Sequence, residues 1–437
     1  KEMRKHFALK YLLLGGLIGA TTVTALAADA EVQAAQSMSQ EEVRREAVRS
    51  TWRDRTDIVI GAQSYKSQAG YGEGSPNVET SHPAYLPSHM NNASGTDVNA
   101  KFYVETLHPV THYDENSKSV VFVQGGAGRN GEKIKTVSLT GGRWVMNPRT
   151  GYGYLHPVFS GRVESVGTTA NIGVGYRRLS KDENAFWGAN AFYDHAFTGG
   201  YNRVSAGAEY VTGYNEFRIN VYQGLGGKKN DIKVNGYLGN FSGNYYADYL
   251  RLRNPDGSLG GISGGVIRYD SRTYDRALGG IDFEYARTFK NARWLRAYID
   301  GYYWRSSHPA VRPGLGGTIS GKRATRGFKV GAEMNLTPHL TMDIGFQTGS
   351  GDPKGVFADN GGGGFDLRQT GHDSLNGVYV MLRYTLGKSR FAWHGGKHSD
   401  DVVTVARAKM LDKVRRSELV IDSTYQEAWD GEMYSEL

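Results

Sequence analysis

From about residue 97 onward, apolar and polar side chains alternate one for one over stretches of roughly ten residues. That is the period of a strand with one greasy face and one wet face. Ala170, Ile172, Val174 and Tyr176 alternate with Asn171, Gly173, Gly175 and Arg177. Val204, Ala206, Ala208 and Tyr210 alternate with Ser205, Gly207 and Glu209, and Phe217, Ile219 and Val221 with Arg218 and Asn220. The same rhythm returns at 281–285, 295–300, 328–335 and 340–346. It predicts twelve strands: 97–107, 117–126, 133–146, 168–178, 185–195, 202–211, 216–225, 279–289, 294–304, 326–336, 340–349 and 376–387. The first three alternate least cleanly.

The connections carry a second pattern. Short ones at 127–130, 180–183, 212–215, 290–292 and 337–339 are interleaved with longer ones at 108–116, 147–167, 226–278, 305–325 and 350–375, the tight 196–201 excepted. Short turns on one rim and long loops on the other characterise bacterial outer-membrane barrels, and an even strand number leaves both barrel ends on the short-turn side. Strands of this length cross a bilayer when tilted. Tyr210, Tyr214, Phe217, Phe289, Trp294 and Trp304 sit near strand ends, as an interfacial girdle would. A soluble β-sandwich also alternates, but nothing in it sorts loops by length in this way. The fold class expected is therefore all-β: a twelve-stranded antiparallel transmembrane β-barrel over 97–387. Inward faces would carry charges of both signs, among them Arg177, Asp194, Glu209, Arg218, Arg296 and Glu333, able to pair across strands. Small residues such as Gly173, Gly175, Gly188 and Gly207 either leave room for a passing peptide or let the wall bend and pack its aromatics.

The flanks change the picture. Residues 1–27 read as a signal peptide: Lys1, Arg4, Lys5 and Lys10 precede an apolar run from Tyr11 to Val23, and Ala25-Leu26-Ala27 fits a small-x-small cleavage site. Residues 28–96 are polar and Gly/Ser/Pro-rich, expected as a partly disordered periplasmic lead-in. Residues 388–437 hold a stretch at 402–416 with Val403, Ala406, Met410 and Val414 on one helical stripe. That stretch reads as a C-terminal helix and linker in or at the pore, or as a helix covering a barrel end. Composition agrees with the barrel. Hydrophobic residues are only 39% of 437, with Gly 59 and Tyr 28, lean for one large soluble core. Cysteine is absent, which removes disulfides and thiolate sites. The net charge of +8 is spread along the chain, so nucleic acid is not expected as a partner.

Catalytic patterns are weak. Gly261-Ile262-Ser263-Gly264-Gly265 matches Gly-x-Ser-x-Gly but lacks a strand-turn-helix setting. Gly387-Lys388-Ser389 ends like a phosphate loop, yet Leu382 occupies the place of its first glycine. Gly361–Gly364 is a loop tip, and Asp194-His195 is a lone pair at a strand end. No enzyme activity, cofactor or metal is expected.

One block is more specific. Thr169-Ala170-Asn171-Ile172-Gly173-Val174-Gly175-Tyr176-Arg177 is followed by Trp187-Gly188-Ala189-Asn190-Ala191-Phe192-Tyr193-Asp194 and then Gly207-Ala208-Glu209-Tyr210. In order and spacing it resembles the barrel of the intimin/invasin family of inverse autotransporters. Asn235-Gly236-Tyr237 echoes a further family motif inside a long loop. Met410 to Arg416, with Val414 and Arg416 as Val-x-Arg ahead of Leu419-Val420-Ile421, looks like the family's linker. The resemblance spans about 97–425. It implies a monomeric twelve-stranded barrel that contacts outer-membrane lipids, is inserted by barrel-assembly machinery with periplasmic chaperones, and passes a C-terminal linker outward. In the family that linker carries domains that bind host-cell receptors, hence cell adhesion and virulence. It also implies that Asn171, Gly173, Gly175, Arg177, Gly188, Asn190, Phe192, Asp194, Gly207, Glu209 and Tyr210 are barrel motif residues, with Met410, Val414, Arg416 and Val420 in the pore linker. The sequence departs from the family in two places. Val211 stands where a Trp follows Glu-Tyr, and 422–437 is too short for an adhesive domain, so 388–437 would end in a vestigial or truncated passenger. A stand-alone barrel acting as a channel or structural protein is the competing reading.

Overall fold

The computed structural model describes residues 45, 48, 50–67, 70–71, 95–146, 153–238, 265–311, 318–359, 365–374, 376–388 and 402–428. Twelve strands close into one antiparallel barrel. In wall order they are β1 (Thr56–Ser67), β3 (Gly95–Pro109), β4 (Ser119–Arg129), β7 (Thr169–Leu179), β8 (Ala185–Ala196), β9 (Tyr201–Thr212), β10 (Asn215–Leu225), β13 (Gly279–Phe289), β14 (Ala292–Val311), β15 (Thr318–Asn335), β16 (Leu340–Asp359) and β18 (Gly377–Thr385). β18 pairs with β1 from Asp57↔Thr385 to Gln63↔Tyr379, and that register closes the ring. With no free edge in the wall, every strand finds its ladder partners inside the sheet.

Seven further strands lie outside the wall. β17 (Phe365–Ser374) folds back on the upper half of β16. β2 (Gly70–Tyr71), β5 (Glu132–Met146), β6 (Gly153–Ser165), β11 (Lys228–Leu238) and β12 (Gly265–Ala277) form a second sheet above the long-loop rim, joined there by the C-terminal β19 (Val420–Ala428).

Three expectations need correction. The segment 133–146 is a strand but not a wall strand: β5 pairs with β6 and β19, while β4 already spans the wall between β3 and β7. The twelfth wall strand is instead Thr56–Ser67, which lies inside the segment read as lead-in, so the barrel starts well before residue 97. This swap also inverts the first loops. Residues 110–118 turn on the short-turn rim, and the chain after Arg129 leaves through the long-loop rim. Asn235–Tyr237 lies in β11, a strand within the long connection rather than a loop. Residues 1–27, Gly261–Gly264 and Gly361–Gly364 lie outside the described residues.

The alternation maps onto two solvents. Ile172 is 59% exposed and Val221 50%, and Ile219, Phe283, Ile299, Val330 and Ile344 also face outward. Arg177, Asp194, Glu209, Arg218, Arg296 and Glu333 are all buried on the opposite face. A charge on the outer face must therefore sit in acyl chains. Ile219→Lys, at the middle of β10, is expected to cost about 2–4 kcal/mol. Urea unfolding in lipid vesicles, followed by tryptophan fluorescence, measures this; an unchanged midpoint would place Ile219 away from lipid.

Candidate functional site: the threaded lumen

Helix α1 (Val402–Lys409) sits at the short-turn rim, and residues 410–421 run from it through the barrel to the opposite rim. The entry is an apolar seal. Met410 and Val414 are buried among Leu107, Val120, Phe122, Leu179, Phe186, Phe192 and Val211. The helix is latched to the rim turns. Arg407 Nε donates to Glu183 Oε2 (3.0 Å), its Nη1 to the Ser117 carbonyl (3.0 Å), and Tyr113 Oη to the Arg407 carbonyl (2.7 Å). Burial pushes the Tyr113 phenol well above its ordinary pKa, which keeps it a donor. Glu183 holds the left-handed φ of 59° that a side chain seldom adopts, at the residue whose carboxylate grips Arg407.

Beyond the helix the chain is extended and alone, so its backbone polar groups have no ladder of their own and must be met by wall side chains. Arg177 meets the first of them. It is fully buried, its Nη1 donates to the carbonyls of Met410 (2.9 Å) and Asp412 (2.5 Å), and its Nε pairs with Glu209 (2.6 Å). These carbonyls follow the last turn of α1, where a cation also offsets the helix dipole. The guanidinium stacks over Phe122 at 4.6 Å. Gln124 then bonds both polar groups of Val414, accepting from its N–H at 2.7 Å and donating to its carbonyl at 3.4 Å. Asn220 donates to the Arg415 carbonyl (3.2 Å). The Ser417 N–H donates to Tyr222 Oη (2.8 Å) and Asp282 Oδ2 (2.9 Å). Arg203, also fully buried, repeats the role of Arg177: it pairs with Asp194 (2.9 Å) and donates to the carbonyls of Ser417 (2.7 Å) and Glu418 (2.8 Å).

The threaded side chains are met by opposite charges: Lys409 by Glu216 (2.8 Å), Lys413 by Asp57 (2.6 Å), Arg415 by Glu333 (2.9 Å), Arg416 by Asp194 (2.9 Å), and Glu418 by Lys101. At the exit, the Leu419 carbonyl accepts from Glu132 N–H and the Val420 carbonyl from Leu278 N–H, both at 2.9 Å. Two apolar clusters close around them, one of Val166, Ala196, Tyr201, Ala277, Leu419 and Ile421, the other of Tyr222, Leu278, Tyr302, Trp304 and Val420. The chain then becomes β19. It pairs antiparallel with β12 from Ile421↔Ala277 to Ala428↔Asp270, and in parallel with β5 at Val420↔Glu132.

The motif residues converge on this thread. Gly188 lies against Arg177 and Glu209, and Gly207 lies between Asn190 and Asn220. A Cβ at Gly173 would overlap the Phe192 ring, and one at Gly175 the Phe122 ring. The glycines are thus filled over by aromatics that themselves carry guanidinium groups: Arg416 stacks on Phe192 at 4.3 Å. Gly173→Ala is expected to displace Phe192 and cost about 1–3 kcal/mol, read as a lowered urea midpoint. Asn171 lines the same lumen, and Tyr210 alone of the eleven points outward, 49% exposed. Asp194 and His195 face opposite sides of the wall, His195 bonding Asn202, so they do not form a catalytic pair. Arg203, Gln124, Tyr222 and Lys101 are lumen residues that no motif marked. For Arg203 the parity of β9 was the available signal, since it shares a face with Glu209.

Residues 158–358 match the family model of the inverse autotransporter β-domain. The chain carries an inverse autotransporter β-domain. No curated protein matches the sequence. Among the solved structures that it resembles at low identity are three of outer-membrane or other membrane proteins. One comes from work on the in-meso crystallization of membrane proteins (16% identical, covering 84% of this chain and 99% of that one, TM-score 0.39). The second is the COG4313 outer membrane channel of Pseudomonas putida F1 (9%, 76% and 94%, TM-score 0.35), and the third the outer membrane phospholipase A of Escherichia coli (10%, 76% and 96%, TM-score 0.29). The inverse autotransporter β-domain belongs to the bacterial outer membrane. Its outward face contacts membrane lipid, and in bacterial outer-membrane barrels the short-turn rim is the periplasmic one.

Proposed function

We propose that this barrel is an anchor and translocator of the intimin/invasin type, which displays the chain after Val420 at the cell surface in the service of adhesion to host cells. One observation carries the reading: residues 410–421 run from the short-turn rim to the long-loop rim, held largely through their backbone. A wall that binds carbonyls and N–H groups tolerates many sequences in transit, and then stops at the one whose side chains complete it. On this reading Met410, Val414, Arg416 and Val420 are the stop. Met410 and Val414 fill the entry seal, Arg416 completes Asp194, and Val420 fills the exit seal. Strand pairing by β12 and β5 then hands the emerging chain to the loop sheet, the main-chain mode by which sheet edges capture extended peptides. Among the described residues the seated segment fills the apolar seals at both ends of the lumen, which favours an anchor over a stand-alone channel. Barrel-assembly machinery, periplasmic chaperones and a host receptor are the partners the reading implies.

Protease shaving of intact cells tests it. An epitope fused after Leu437 is expected to be cut from outside. An epitope protected until the outer membrane is permeabilised would reject display. Cells carrying the displayed chain should also adhere to host cells more than cells carrying the barrel without 422–437; equal adherence would remove the adhesive part of the reading.

A further inference from the structure

The lumen pairs Arg177, Arg203, Arg218 and Arg296 with carboxylates, whereas the outer face of β14 and β15 carries two neighbouring arginines with no ion-pair partner among the described residues. β14 and β15 pair with Tyr303 opposite Arg326, Trp304 opposite Thr325 and Arg305 opposite Ala324. Because Trp304 and Thr325 are buried inward, Tyr303, Arg305 and Arg326 share the outward face. Arg305 and Arg326 are a diagonal pair, a spacing of roughly 7–8 Å between backbones. Both side chains are exposed, and among the described residues neither makes an ion pair or a hydrogen bond. Like charges on one face repel, and cations on a lipid-facing wall are costly, so an adjacent unpaired couple needs an external anion.

Their height says which one. Arg326 lies nine residues above Asn335 at the foot of β15, and Arg305 thirteen above Ala292 at the foot of β14. At the rise of a tilted strand these are roughly 21 and 30 Å above the periplasmic rim, bracketing the top of an apolar band ~25 Å tall. This is the level of the outer-leaflet headgroups. Directly below on the same face, Phe328 is 45% exposed and Tyr303 beside it 40%, a surface for an acyl chain.

We propose that Arg305 and Arg326 bind a phosphate on a lipid headgroup of the outer leaflet, with Tyr303 and Phe328 against its acyl chain. Two guanidinium forks on one phosphate give charge-assisted, bidentate contacts that a lysine pair would not reproduce. The site would fix the barrel's height in the membrane on the side where β14 and β15 rise above it.

The test uses the full chain in phosphatidylcholine vesicles, with unfolding read by loss of the fast-migrating unheated gel form. Lipopolysaccharide is expected to raise the wild-type midpoint, whereas its dephosphorylated form and inorganic phosphate are not. The R305A/R326A variant should fold to the same fast form and bind lipopolysaccharide at least about tenfold more weakly. R305K/R326K should keep part of the response. An equal response from R305A/R326A, or a wild-type shift as large with inorganic phosphate or dephosphorylated lipid, overturns the site. Should the double variant not fold, native mass spectrometry of wild-type protein extracted from outer membranes decides: a bound phosphorylated glycolipid supports the site, and its absence refutes it.

Discussion

Removing residues 402–421 is expected to turn a barrel that passes no current into one that conducts in discrete steps across a planar bilayer. The argument is one of occupancy. The threaded segment meets the wall on nearly every side, is sealed by apolar clusters at entry and exit, and leaves beside it a polar cavity of about 190 Å³. That cavity is lined by charges already paired in large part: Arg296 with Glu333 and Glu284, Arg415 with Glu333, and Arg416 with Asp194. Taking the segment away removes both seals and strips Glu216, Asp57, Glu333 and Asp194 of their cationic partners from the linker. A twelve-stranded wall is wider than the eight-stranded ones that side chains alone can fill, so water should enter. Retention of the fast-migrating unheated gel form would establish that the deletion still folds. Conductance unchanged in such a folded variant would mean that the segment does not occlude the pore.

The largest single-residue effect is expected at Arg177. Arg177→Met keeps the volume near Phe122 and Phe186 but leaves the Glu209 carboxylate without its closest cation and the Met410 and Asp412 carbonyls without a donor. Breaking a buried pair by removing one partner costs about 3–5 kcal/mol, because the remaining charge stays desolvated. Arg218, 3.5 Å from Glu209, can recover only a part, being already shared with Glu216 and Glu284. The companion variant separates charge from clamp. R177M/E209Q removes the stranded carboxylate, so it should be more stable than R177M alone while still lacking the backbone clamp. Urea midpoints of the three proteins in vesicles give the comparison. If R177M loses under 1 kcal/mol, Arg177 is not the junction that the geometry makes it.

Much of the wall was legible because membrane barrels impose period two on a chain with no other periodic demand. From Thr169 to Asn335 the expected strands stay within a few residues of those observed, save that β14 and β15 extend further beyond the long-loop rim. β1 was illegible for a physical reason. In the strand that contains Asp57-Ile58-Val59-Ile60, the inward face carries Val59 and Tyr65 among Asp57 and Gln63, while the outward face carries Ile60, Ala62 and Ser64, so apolar and polar residues fall on both. Val59 is inward yet almost fully buried, so polarity does not tell its two faces apart. β5 misled for the converse reason: strands above the membrane also alternate, and only pairing partners distinguish a loop hairpin from the wall. In the site, Arg177, Asp194 and Glu209 could be read as inward from parity. The grip of Arg177 and Arg203 on carbonyls 214 to 235 residues further along the chain could not, since a carbonyl leaves no mark in a sequence.

The most direct measurement exploits the absence of cysteine from the chain. Lys388, exposed just beyond the last wall strand, is replaced by Cys in one variant; in another a Cys is appended after Leu437. Intact cells are treated with a membrane-impermeant maleimide before and after the outer membrane is opened. Threading predicts that the appended Cys reacts on intact cells and that the Lys388→Cys thiol reacts only after permeabilisation. Equal protection of both, or labelling of position 388 alone on intact cells, would contradict it.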